Sequence, residues 1–222
     1  MKIILITGGP SAEREVSIAS SKSILKALRS SGHTVKVIDP IYGSRDIPEE
    51  EIFGDTLSKN SPSIQKLEEI HKTSNRNILS CIDSDIFDNA DLVFLGVHGK
   101  FGEDGRIQML LELRDILYTG SGVFASALAM DKDISKTVLS SNGIKTPEWI
   151  SVNRASCTAP EDLNEQINNI TGYPCVVKPN DEGSTVGLTI VQPDIEDKIL
   201  PEALDLAFKY SDKVLIEKYI KG

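Results

Sequence analysis

Cysteine is scarce: Cys81, Cys157 and Cys175 are the three in 222 residues. None sits in a Cys-x-x-Cys spacing and the count is odd, so neither a disulfide framework nor a zinc site is expected, and the plain reading is a reducing cytoplasm. Long apolar runs are missing too. The first, Lys2 to Thr7, gives way to glycines and charges too soon for a signal peptide, and no later stretch approaches a membrane span. Basic residues are outnumbered, with 24 Lys and Arg against 33 Asp and Glu, a net charge of −9 that is scattered along the chain. That balance argues against binding nucleic acid or an anionic membrane, both of which need a basic face. It leaves room for a small anion held by a few lysines. Two phosphate-binding fingerprints are absent as well. No G-x-G-x-x-G follows the first strand, and Lys178 precedes the glycines of its loop, unlike a Walker A lysine.

What remains is an ordinary soluble composition, 40% hydrophobic and 26% charged, long enough for one large or two small domains. Ile3-Ile4-Leu5-Ile6 reads as a strand buried on both faces. Gly8-Gly9-Pro10-Ser11 breaks it, and a helix is expected over Glu15 to Arg29 with Val16, Ala19, Ala27 and Leu28 turned inward. Gly32 ends that helix, and Thr34 to Ile38 forms a second strand stopped by Asp39-Pro40. Strand, turn, helix and strand make a βαβ unit, hence a parallel sheet. Residues 41–80 read as a polar, irregular insertion with a weakly amphipathic stretch from Ile64 to Ile70, and no function is assigned to them.

Asp91 to Val97 resumes the buried-strand pattern, followed by the loop His98 to Gly105 and a helix from Ile107 to Leu113. Helices are then expected over Val123 to Met130 and Ile134 to Ser141, a strand opening at Pro147, and a helix over Leu163 to Ile170. Two strands, Cys175 to Lys178 and Leu188 to Val191, flank a glycine-rich loop before a helix (Leu200 to Phe208) and a strand (Val214 to Ile220). This second half is antiparallel in style, which places a boundary at 120–125 and gives domains 1–122 and 123–222. The fold class expected is α/β: a Rossmann-like, three-layer parallel-sheet domain, then an α+β unit. Gly222 follows directly on a strand-like run, as though the chain stops within its fold.

Four segments carry candidate chemistry. In Gly8 to Ser17 a glycine turn at the carboxyl end of the first strand sits where α/β proteins place ligands, although a plain strand-to-helix turn with a solvated Glu13-Arg14-Glu15 reads equally well. His98-Gly99-Lys100-Phe101-Gly102-Glu103-Asp104-Gly105 interleaves an imidazole and two carboxylates with three glycines that allow close backbone approach, which favours function over a structural histidine. Lys178, leaving a strand ahead of Gly183-Ser184-Thr185, suits an anion: ammonium for charge, loop N–H and hydroxyl groups for oxygens. A hairpin with a solvated lysine is the alternative. Leu215 to Ile220 alone is a strand with an exposed Glu217–Lys218 pair.

Taken in order, GGPSAEREVSIAS, HGKFGEDGRIQ, YTGSGVFASALAMDK, VVKPNDEGSTVG and VLIEKYIKG resemble the D-alanine–D-alanine ligases of the ATP-grasp superfamily, from Lys2 to Gly222 apart from 41–80. The resemblance implies an ATP-grasp central subdomain over 123–222 whose C-terminal part is absent. It implies that ATP phosphorylates one D-alanine carboxylate and that the amine of a second D-alanine displaces phosphate, supplying a peptidoglycan precursor in the cytoplasm. By position, Glu13 would hold the first substrate's ammonium, with Val16 and Ser17 shaping the pocket and His98, oriented by Glu103, beside it. Lys132 and Lys178 would contact ATP phosphates, Gly183, Ser184 and Thr185 would close over them, and Ser184 would reach towards Glu13. Glu217, Lys218 and Ile220 would receive adenine. ATP and Mg²⁺ (or Mn²⁺) are the implied cofactors and a homodimer through the N-terminal domain the implied assembly, with no nucleic acid and no membrane. The metal ligands, the transition-state arginine and the residues that select the second substrate would lie beyond 222, so ligation by this chain alone is not expected. Thr185 stands where Ser is commoner, and Met109 stands where Gly is usual. The alternatives are a D-alanyl-D-lactate or D-alanyl-D-serine ligase, a non-catalytic nucleotide-binding fragment, and an NAD-binding protein, the last disfavoured by the missing fingerprint.

Overall fold

The computed structural model describes residues 1–54, 62–156, 160–193 and 199–222; Cys157 falls outside them. The chain divides into two compact units, Met1–Ala127 and Leu128–Gly222.

In the first unit the strands β1 (Lys2–Ile6), β2 (Thr34–Ile38) and β3 (Leu92–Leu95) form a parallel sheet in the order β2-β1-β3. Central β1 is covered on both sides, as its unbroken apolar run requires. Ile3 and Leu5 pack with Ile18 and Leu25 of α1 (Arg14–Ser30) and with Ile52 and Phe53 of α2 (Glu49–Phe53). Ile4 and Ile6 face the other way, onto Ile78, Cys81 and Ile82 of α3 (Ile64–Ile82) and Ile107 and Leu111 of α4 (Arg106–Glu112). The result is a three-layer α/β arrangement.

Two expectations need correction. The face of α1 that is buried carries Arg14, Ser17, Ile18, Ser21 and Leu25, whereas Val16, Ala19 and Ala27 are exposed and Leu28 is half-buried. The serines misled the apolar count. They are small, they let the helix lie close to the sheet, and their hydroxyls are satisfied locally: Ser21 Oγ donates to the Gly96 carbonyl at 3.4 Å. Nor are the described residues of 41–80 irregular. They hold a 3-10 turn (Pro40–Tyr42), α2 and most of the 19-residue α3, whose start is capped by Ser63 Oγ accepting from Lys66 N at 3.3 Å. The first turns of α3 bury Leu67 and little else, so the helical period becomes visible only from Ser74 onward.

The second unit holds α5's last residues (α5 is Val123–Met130), α6 (Lys132–Ser141), α7 (Pro160–Ile170) and α8 (Ile199–Phe208). Its sheet is antiparallel, in the order β4-β7-β5-β6, from β4 (Trp149–Asn153), β5 (Cys175–Pro179), β6 (Thr189–Val191) and β7 (Lys213–Lys218). Period-two alternation sorts its residues. Cys175, Val177, Val214 and Ile216 join Leu163, Ile167, Ala203 and Ala207 in one core, which leaves Lys178 and Glu217 on the opposite face. Burial lifts the Cys81 thiol to about 12 and the Cys175 thiol to about 11, so both are inert apolar fillers. No described helix is long and apolar enough to cross a membrane.

Candidate functional site

The first constellation gathers where β1 and β3 end. After β1 the chain turns through Gly8 (φ +68°) and Gly9 (φ +78°). A Cβ on Gly8 would lie 2.3 Å from Asp39 Oδ2 and 2.7 Å from an Arg14 nitrogen, so this glycine answers to a buried ion pair. Arg14 meets Asp39 Oδ2 at 2.5 Å, with side chains 7% and 0% exposed. Arg14 also donates to the Gly9 carbonyl (3.1 Å), and Asp39 Oδ1 accepts from Gly9 N and Ile41 N (3.2 Å each). The turn is thereby tied to the end of β2.

Glu13 stands at the N-cap of α1, buried, its carboxylate not spent on capping. Its amide donates to Ser11 Oγ (3.1 Å), which donates to the His98 carbonyl (2.7 Å), while Ser17 Oγ accepts from His98 N (2.8 Å). A Cβ on Gly99 (φ +74°) would come within 2.9 Å of Glu13 Oε2, so only glycine lets the loop approach this carboxylate. Asp104 Oδ2 accepts from Phe101 N at 2.7 Å and holds Phe101 in the left-handed region at φ +72°, which a non-glycine residue adopts only when its surroundings impose it.

His98 is fixed at both ring nitrogens. Nδ1 faces Glu103 Oε1 at 3.5 Å and Nε2 meets Ser20 Oγ at 3.1 Å. A carboxylate accepts only, so Nδ1 carries the proton, and the Ser20 hydroxyl can serve Nε2 as donor or acceptor. The hydrogen bond to Glu103 raises the His98 pKa above its ordinary 6.5, against partial burial, and the same bond lowers Glu103 below its ordinary 4.5. His98 therefore adds stability below pH 6.5 that is lost as pH rises through its raised value. Glu103 adds stability above pH 4.5 that is lost as pH falls through its lowered value. We expect Glu103→Gln to bring the His98 titration back down towards 6.5, followed by ring ¹⁵N NMR; an unmoved titration would refute the pairing.

The second constellation lies on the polar face of the antiparallel sheet. Lys132 opens α6, whose start is capped by Asp131 Oδ1 accepting from Ile134 N at 3.0 Å. Its ammonium donates to the carbonyls of Asn180 (3.2 Å) and Glu182 (2.5 Å). Desolvation, then repulsion from nearby Lys178, lowers the Lys132 pKa. Lys178 Nζ (3.2 Å) and Lys136 Nζ (2.9 Å) share Glu217 Oε2, and Lys136 also donates to Thr146 Oγ1 (2.7 Å) and lies 5.0 Å over the Trp149 ring. Gly183-Ser184-Thr185 follows these lysines as an open turn, Ser184 and Thr185 exposed and Ser184 at φ +51°.

Family models show the family. One described as the D-ala D-ala ligase N-terminus matches residues 2–121, and one described as the D-ala D-ala ligase C-terminus matches 138–222. The chain belongs to the D-alanine–D-alanine ligase family. A D-alanine–D-alanine ligase of Geobacter sulfurreducens is 39% identical over the whole chain, which covers 55% of that protein. The structure of a Bacillus anthracis D-alanine–D-alanine ligase complexed with ATP is similar at 31% identity and a TM-score of 0.65, with 60% of it covered. A D-Ala:D-Ser ligase from Enterococcus faecalis is similar at 28% identity and a TM-score of 0.69, with 63% covered. The fold is thus the ATP-grasp fold of these ligases, and the chain spans a little over half the length of the relatives it matches.

Of the residues that the ligase resemblance singled out, Glu13, Ser17, His98 and Glu103 converge in the first unit, while Val16, 54% exposed, turns away from the core of α1. In the second unit Lys132, Lys178 and Glu217 lie on one side of the sheet. Lys218 is exposed, paired with Glu148 Oε2 at 3.1 Å, and Ile220 is exposed beyond the end of β7. Sequence reading missed Asp39, Ser11, Ser20, Asn180 and Lys136. Ser11, Ser20 and Asn180 lie inside the segments that carry the resemblance but had no role assigned, and Lys136 stands one helical turn after Lys132 on the same face of α6. The Mg²⁺ implied by the ligase resemblance finds no ligand set, since among the described residues no three His, Cys, Asp or Glu side chains converge on one point.

Proposed function

We propose that this chain forms the first-substrate and nucleotide-binding parts of an ATP-dependent ligase that joins two D-alanines for a cytoplasmic peptidoglycan precursor. The observation that carries the reading is the placing of two ammoniums, Lys132 on the Asn180 and Glu182 carbonyls and Lys178 on Glu217, ahead of the Gly183-Ser184-Thr185 turn, in a chain whose other unit gathers Glu13 and His98 around a glycine loop. A carboxylate is a poor acyl donor at neutral pH. Transfer of the γ-phosphoryl group to one carboxylate oxygen releases ADP and gives the acyl carbon a leaving group. The second amine then bonds to that carbon, phosphate departs, and the amine's proton passes to solvent or base.

In this reading the Glu13 carboxylate orients the first substrate through its ammonium, in a pocket shaped by Ser17 and bordered by Val16. His98, oriented by Glu103 at Nδ1, stands beside it. Lys132 and Lys178 offset the charge on the transferred group, and the hydroxyls of Ser184 and Thr185, with the Gly183 backbone, close over phosphate oxygens. Glu217, Lys218 and Ile220 border the base. The D-Ala:D-Ser likeness favours one second reading, in which the nucleophile is D-serine or a D-hydroxy acid. Self-association through the N-terminal unit belongs to the same proposal.

The test is phosphate release from Mg-ATP with D-alanine, L-alanine as control, and D-serine or D-lactate as second substrate. It is run on this chain and on the longest gene product that contains it. Turnover by the longer protein alone, with D-alanine and not L-alanine, is the expected result. Absence of D-alanine-dependent release from both would overturn the substrate assignment. Dipeptide made by the 222-residue chain would overturn its dependence on the rest of the ligase.

A further inference from the structure

Besides Asp39 at the end of β2, the helix α3 brings a side chain to the first loop. His71, on the exposed side of α3, places Nε2 2.7 Å from the Pro10 carbonyl. A carbonyl accepts only, so Nε2 carries a proton and donates it, whether or not Nδ1 is protonated. Pro10 cannot be held through its own nitrogen, which lacks a proton, so its carbonyl is the handle the backbone offers at that point.

The neighbours of Pro10 lead directly to the candidate substrate site. Gly9 is fixed by Asp39 and Arg14 on one side. On the other, Ser11 Oγ receives the Glu13 amide and donates to the His98 carbonyl. Pro10 is the link between the ion pair and the Glu13–His98 cluster, and His71 is what holds that link from α3. The helix itself is anchored independently of this contact. Ile78, Cys81 and Ile82 lie in the core, and Asn77 Nδ2 donates to the Ile41 carbonyl at 2.6 Å. A brace seated on a fixed helix transmits position, whereas one on a loose segment would follow the loop.

We propose that His71 is a positioning residue for the first-substrate site, holding the Gly9–Ser11 turn at the height that sets Ser11, and through it Glu13 and the His98 loop. This rests on the ligase reading above. It gives a role in substrate binding to the part of the chain that its polar composition left without one.

The test compares His71→Leu, which removes the donor, with His71→Gln, whose amide N–H can reach a similar point. In the longest gene product, His71→Leu should raise KM for the first D-alanine three- to tenfold, the scale of one lost hydrogen bond. It should change kcat and KM for ATP less than twofold, and His71→Gln should restore KM. A uniform loss of stability would not produce that split. An unchanged D-alanine KM, or equal losses in every kinetic constant that Gln does not rescue, would overturn the proposal. If the wild-type protein shows no D-alanine-dependent turnover, the ligase reading fails by itself. Amide hydrogen exchange on the 222-residue chain then decides the brace: faster exchange at Ser11 and Glu13 in His71→Leu, reversed in His71→Gln, upholds it, and equal exchange overturns it.

Discussion

Asp39→Ala will destabilise the first unit by about 3–5 kcal/mol, because it strands a buried guanidinium. Arg14 is 7% exposed and its one ionic partner among the described residues is Asp39, itself without any exposed side-chain surface. Removing the carboxylate also takes the acceptor from Gly9 N and Ile41 N. Hydrogen exchange at the amides of β1 reads the change directly, since β1 is the central strand and its slowest amides report opening of the sheet. The companion double variant Asp39→Leu with Arg14→Met should recover part of the loss, as apolar side chains of similar volume can replace a buried pair. It should not recover all of it, because the two amides stay without their acceptor. A single variant as stable as the parent would mean that the pair does not carry the turn.

Glu217→Leu should cost the second unit about 2–4 kcal/mol. The carboxylate is shared by Lys136 and Lys178, whose side chains are 7% and 21% exposed, so its loss leaves one ammonium buried and another half-buried beside it. Lys136 keeps Thr146 Oγ1 and the Trp149 face, which limits the damage. Lys136→Met alone should cost less, since Glu217 retains Lys178, and the double variant should regain most of the Glu217→Leu loss. Trp149 is the single tryptophan and lies in this unit, so urea unfolding followed by its fluorescence isolates the effect. A midpoint for Glu217→Leu equal to the parent's would show that the lysines are satisfied without the carboxylate.

How far the sequence alone carries depends on whether burial is written in apolar residues. β1 and β7 were legible because each is an unbroken or alternating run of branched side chains. The limits of α1 were legible within a residue or so, but its buried face was not, because Arg14, Ser17 and Ser21 occupy it in place of aliphatics. α3 was hidden for a related reason: its first two turns bury one leucine. The site divides in the same way. Glu13, His98, Lys132 and Lys178 lie in segments whose glycines or whose family resemblance mark them. Their partners Asp39, Ser20, Asn180 and Lys136 reach them only through the fold, and a residue 78 positions away, as Ser20 is from His98, leaves no local trace.

The parallel register that pairs Ile3 with Leu92 also sets a timetable for synthesis. At about 5–20 residues per second, the first strand leaves the ribosome some 5–20 seconds before its second neighbour has been made. Its first neighbour, β2, arrives about a third of the way through that wait and covers one edge. The other edge stays open while α2 and α3 are translated, a nascent sticky surface of branched aliphatics. Glu49-Glu50-Glu51 emerge early in that interval and bring the acidic residues of the nascent chain level with its Lys and Arg, so its net charge is close to zero while its central strand is least protected.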